Sequence, residues 1–209
     1  MLRTLARLAA FSCIATCSVA AEPFTGLPCE GCEAIFDRPL ASIKQRVARI
    51  APHDAPGQPL VVRGVVTDSS GRPRSGIVLY AYQTDATGRY QTDPQAPSAA
   101  GRRHGRYRSW ALSDDGGNYE FITVRPGGYP GSDLPQHIHI HVLEPGCSTY
   151  YLEDITFDDD PRMTATKRRE FSNDRGGSGF SHPLQINGTA LVTRNVILGH
   201  KIPGYKSCD

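Results

Sequence analysis

Residues 137–142 read HIHIHV, and this stretch carries the densest chemistry in the 209-residue chain. In a β-strand, successive side chains point to opposite faces. Ile138, Ile140 and Val142 therefore share one face, and His137, His139 and His141 share the other. A lone histidine on such a strand is ordinarily a hydrogen-bonded core residue. A pair at i and i+2 can converge on one metal ion. The third, at i+4, lies roughly 13 Å along the strand from the first, so His141 falls outside a site built on His137 and His139. A metal needs more ligands than two imidazoles. Two tyrosines stand where they could supply them: Tyr90 at the end of YQTDATGRY, and Tyr129 in RPGGYP just before the histidine strand.

The elements that must position these groups are short strands separated by turns. VVRGVVTDSSGRPRSGIVLYAYQTD reads as strand, Asp-Ser-Ser-Gly turn, strand. ALSDDGGNYEFITVRPGGYP repeats the phrase, with Asp-Gly-Gly-Asn and Pro-Gly-Gly turns. A strand near 150–157, a short helix near 164–171 and a hairpin around Asn187-Gly188 follow. Frequent turns and almost no helical period argue for one β-sandwich domain over 60–209. Residues 22–59, rich in Pro, Gly and Cys, read as an N-terminal arm with one short helix near 40–47. Residues 91–108 form a long loop without a period of its own, a kind of loop that is usually functional. The loop 176–179 lacks the lysine and strand–helix setting of a phosphate loop and reads as a plain connection.

The first 21 residues carry Arg3 and Arg7, an apolar run over 8–19 and a small-residue cleavage site, the pattern of a secretory signal. A lipid anchor on Cys17 is a minor alternative. Loss of that segment removes two of 23 basic residues and no acids. The remaining 21 balance the 21 acidic ones, which gives no case for nucleic acid or an anionic membrane as partner. The KRRE run at 167–170 after DDDP at 158–161 reads as a solvated, ion-paired face. Four cysteines remain, Cys29, Cys32, Cys147 and Cys208. In an exported chain they suggest two disulfides tying both termini to the body, with three connectivities open. A tetrathiolate zinc site is the less suitable use in an oxidising compartment.

Several phrases in order now resemble the intradiol ring-cleavage dioxygenases, the catechol and protocatechuate dioxygenase group. They are GVVTDSSGRP, YQTDATGRY at 82–90, DDGGNYEF at 114–121, PGGYP at 126–130 and PQHIH at 135–139. The Cys-x-x-Cys arm is similar to that of exported members. The resemblance implies a prealbumin-like, intradiol dioxygenase-type sandwich. It implies Fe(III) held by Tyr90, Tyr129, His137 and His139, and O2-dependent opening of a catechol-type diol between its hydroxylated carbons to a muconate-type diacid. It gives Tyr129 the role of the tyrosinate that leaves when the diol binds. Two departures stand out. The group's cytoplasmic members carry an arginine where this chain has Leu134, and a glutamine whose nearest match is Asp154. Arg106 and Arg108 are the candidates to replace that arginine, and Asp154 could orient a histidine or line the pocket. A non-catalytic prealbumin-like or carboxypeptidase-regulatory-like binding module would share the turn phrases but not the PQHIH strand or the tyrosine pair. A zinc enzyme would need a further ligand near His137 and His139, and His53, His104, His182 and His200 sit in no ligand motif.

Overall fold

The alternation in HIHIHV is realised as a strand with both faces covered. The structure, a computed structural model, describes residues 24–208; the expected signal over 1–21 lies outside them. Among the described residues the strands, in chain order, are β1 (Val47–Arg49), β2 (Pro59–Thr67), β3 (Val78–Tyr82), β4 (Arg108–Leu112), β5 (Asn118–Val124), β6 (His137–Glu144), β7 (Ser148–Tyr151), β8 (Ile155–Phe157), β9 (Phe180–Ser181), β10 (Leu184–Ile186), β11 (Thr189–Thr193) and β12 (Val196–Ile197). One sheet runs β1-β5-β2-β11-β10, with β12 also on β2. The other runs β4-β3-β6-β8-β9, with β7 also on β6. Two short helices, α1 (Ala99–His104) and α2 (Ala165–Phe171), and two 3-10 turns, Cys32–Asp37 and Leu40–Ser42, complete the set.

The sheets close on one core. Leu60 and Val62 of β2, Phe121 of β5, and Ile138, Ile140 and Val142 of β6 are fully or almost fully buried in it. Each such side chain contributes roughly 1.5–3 kcal/mol by leaving water. β3 is buried along its whole length. Leu79 and Ala81 face the same core, while Val78, Tyr80 and Tyr82 face a second cluster with Ile35, Ala100 and Trp110. The register pairs Tyr82 with His139 and Tyr80 with His141. The histidine face of β6 therefore looks toward the 3-10 turn Cys32–Asp37 and α1, not toward solvent. Trp110 Nε1 donates to Ile35 O at 2.7 Å and anchors that cover.

Three aspartate turns explain the repeated phrases. Asp68, Asp85 and Asp114 each accept backbone N–H groups two and four residues on, at 2.8–3.1 Å. Asn187 and Gly188, both at positive φ, make the turn between β10 and β11. Several expectations are revised. Residues 40–47 hold a single 3-10 turn and the start of β1, which pairs in parallel with β5; the segment read as an arm thus supplies an edge strand. The 91–108 loop contains α1, capped by Ser98 Oγ accepting from Gly101 N at 2.8 Å. The strand expected over 150–157 breaks at 152–154. Among the described residues the cysteines pair as Cys29–Cys32 and Cys147–Cys208, which leaves none of these four as a thiolate ligand. The second bridge ties the C-terminal tail to the β6–β7 turn. The first closes a small loop on itself and does not fasten the arm to the body.

Candidate metal centre

The two tyrosines reach the histidine face on loops that pack backbone against backbone. Gly127 N donates to Asp85 O at 2.8 Å, and Thr84 Oγ1 donates to Gly127 O at 2.8 Å. Gly88, at φ 80°, allows the closest approach, because a Cβ there would stand 2.1 Å from Gly128 O. Gln83 fixes the base of the first loop, donating to Val124 O at 2.8 Å and accepting from Thr123 Oγ1 at 3.0 Å.

The result is a closed set of four donors. Tyr90 Oη lies 2.8 Å from Tyr129 Oη and 3.0 Å from His139 Nε2, and Tyr129 Oη lies 3.1 Å from His137 Nε2. The far nitrogens are also engaged: His137 Nδ1 is 2.7 Å from Pro135 O, and His139 Nδ1 is 3.0 Å from Asp154 Oδ1. Each acceptor holds the proton on Nδ1 and leaves the Nε2 lone pair directed at the tyrosines. Burial pushes the His137 imidazole down, so it stays neutral, and pushes both phenols up, Tyr90 strongly. A cation among the four oxygens and nitrogens would reverse that balance for the phenols.

All four sequence-derived ligand candidates thus converge. Asp154 also lies close, its carboxylate within 4.8 Å of ligand atoms of His137 and His139. It binds the back of His139, so it orients that ring and adds no donor on the tyrosine side. His141 is buried beside Tyr80 and Tyr82, with Nδ1 unpartnered.

The arginine candidates do not converge. Arg108 is held by Asp37 at 2.7 Å and Asp93 at 3.0 Å, under Gly101 of α1. Arg106 is exposed. Neither lines the cavity beside the four donors. That cavity, about 780 Å³, is walled instead by Arg103, His104, Tyr82, Phe171 and Glu30 among others. The signal for Tyr82 was the alternation in VLYAY, which puts Tyr80 and Tyr82 on one face of β3. Arg103 and His104 depend on the phase of a six-residue helix, which leaves no periodic trace.

His104 and His141 predict a pH effect. Burial pushes both down to about 3, below the ordinary 6.5. Between those values the unfolded chain binds protons that the folded chain refuses, so stability falls as pH falls from 6.5. At pH 5 the loss is up to about 2 kcal/mol for each histidine. The melting midpoint of the metal-free protein is expected to drop between pH 7 and 5, less in His104→Gln; a flat profile would contradict this.

A family model described as Dioxygenase matches residues 34–167. Catechol 1,2-dioxygenase of Candida albicans is 35% identical over 106 residues, covering 42% of this chain and 33% of that protein. The protocatechuate 3,4-dioxygenase beta chain of Burkholderia cepacia is 31% identical over 150 residues, covering 65% of this chain and 61% of its own. Among solved structures, the intradiol ring-cleavage dioxygenase from Tetranychus urticae superposes with a TM-score of 0.57 at 21% identity, over 79% of this chain and 89% of that one. At that identity the superposition speaks for the fold alone. The chain spans less than two thirds of either curated relative.

Proposed function

Since the chain belongs to the intradiol ring-cleavage dioxygenase family, we propose that it is an exported Fe(III) enzyme that uses O2 to open a catechol-type diol between its two hydroxylated carbons, giving a muconate-type diacid. The observation that carries this is the linked set of Tyr90, Tyr129, His137 and His139, of which Tyr90, Tyr129 and His139 line the cavity. Two phenols and two imidazoles fit a ferric ion better than zinc. Bound there, the ion supplies Lewis acidity and a template for two adjacent hydroxyls.

The protein's own part follows from where each ligand is rooted. His137 and His139 sit on β6, with their rings fixed from behind by Pro135 O and Asp154. Tyr90 is tied between Tyr129 and His139. Tyr90 and Tyr129 both stand on loops outside any strand; the family resemblance gives Tyr129 the role of the phenolate that would swing away and accept a substrate proton at Oη. A signal over 1–21 followed by one domain, to which the 22–59 segment contributes the edge strand β1, is the organisation that accords with this function. Among the described residues no helix is long and apolar enough to cross a membrane.

A visible spectrum tests the proposal. The iron-loaded protein is expected to show a broad tyrosinate charge-transfer band that moves to longer wavelength when catechol is added without oxygen. A protein that stays colourless after ferric reconstitution would sink it and leave a binding module or zinc enzyme.

A further inference from the structure

Leu134 offers no cation, Arg106 is exposed, and Arg108 is paired with Asp37 and Asp93. Of the polar groups that do line the cavity, Arg103 is itself exposed whereas Tyr82 is nearly buried and held by its neighbours. We propose that the Tyr82 hydroxyl donates a hydrogen bond to the bound diol and orients it; this rests on the catechol-type function above.

Tyr82 lines the cavity together with Tyr90, Tyr129 and His139. Its ring is only 8% exposed. It stacks on His139 with centroids 4.5 Å apart and planes 22° apart, and on His104 at 3.6 Å and 4°. The Tyr90 ring is 6.2 Å away. Packing on two rings fixes the side chain before any ligand arrives, so little rotamer entropy is lost on binding.

The hydroxyls around it are occupied. Tyr80 Oη bonds His104 Nδ1 at 2.9 Å, and Tyr90 and Tyr129 bond each other. No described residue bonds the Tyr82 hydroxyl. Nor is it one of the fully enclosed polar atoms without a partner, which are His141 Nδ1, Thr149 Oγ1, Thr156 Oγ1 and Arg194 Nε. It therefore opens on the cavity. A nearly buried donor without an acceptor is unfavourable, and a diol oxygen beside His139 would supply one. Tyr82 is also joined to the metal side only through ring stacking, so loss of the hydroxyl leaves the four donors untouched.

The test is Tyr82→Phe in the iron-loaded protein, which keeps the stacked ring. Iron content and the resting charge-transfer band are expected to match the parent. The anaerobic catechol complex is expected to show a displaced band and roughly 3- to 10-fold weaker binding, with kcat/KM reduced by at least as much. Equal affinity, band position and turnover would overturn the proposal. Loss of iron or of the resting band would overturn it too, by placing Tyr82 in metal binding. Failure of the parent protein itself to change colour with catechol is a different result: it removes the catechol function and this contact together.

Discussion

Tyr90→Phe is expected to abolish the ferric charge-transfer band and to lower iron affinity by more than about 100-fold. Loss of a partner one shell out already costs 10–100-fold at metal sites, and Tyr90 Oη stands inside the set itself, bonded to both Tyr129 Oη and His139 Nε2. The change is clean. The Asp85 turn that carries Tyr90 is held by Thr87, Arg89 and Gln91, not by the phenol, and Phe keeps the ring against Tyr82 and Tyr129. Fold and melting point should therefore persist while iron is lost. Tyr129→Phe is expected to behave alike: its oxygen also has two partners, Tyr90 and His137, and it too rides on a loop, so iron should again be lost. Metal analysis per chain beside the visible spectrum decides. A Tyr90→Phe protein with full iron and unchanged colour would refute the ligand assignment.

The strand was legible because it follows from a local rule, whereas the tyrosines came from the resemblance of several phrases in order. Period-two alternation places His137 and His139 on one face whatever lies beyond it. A Pro-Gly-Gly turn announces the loop that carries Tyr129. The meeting of Tyr90 and Tyr129 was not a local matter: it depends on Gly88 passing against Gly128, a contact between loops 40 residues apart in the sequence. What covers the histidine face was hidden for the same reason. Arg103 and Arg106 are three residues apart and both exposed, yet only Arg103 lines the cavity. Arg108 looked available as a cation because the sequence does not reveal that Asp37, in the arm, is its partner. The charge run at 167–170 was read as local pairing, and Arg168–Asp158 and Lys167–Glu170 bear that out.

The loop DRGGSGF, read as a plain connection, is instead the cradle behind Asp154, and Arg194→Leu should expose that role. Arg194 is fully buried. Its guanidinium donates to the carbonyls of Gly176, Asn195, Arg175 and Glu153 at 3.2, 2.5, 3.1 and 3.4 Å. From the other side the Glu153 carboxylate accepts from the backbone N–H groups of Asn173, Asp174 and Gly179. Gly179 lies so close that a Cβ would stand 2.0 Å from Asp154 O. The chain at 152–154 leaves the sheet between β7 and β8, and this double clamp sets where Asp154 meets His139. Leucine fills part of the volume but leaves buried carbonyls without donors. The expected loss is on the order of 3–5 kcal/mol, which lowers the melting midpoint by roughly 10 °C. Arg194→Lys keeps the charge but not the fork that spans four acceptors, so it should fall between the two. Because the clamp bears on Asp154, the leucine variant should also bind iron less tightly below its own melting point, with its tyrosinate band still present. A midpoint within two or three degrees of the parent would show that the loop holds itself and that Arg194 does not support the site.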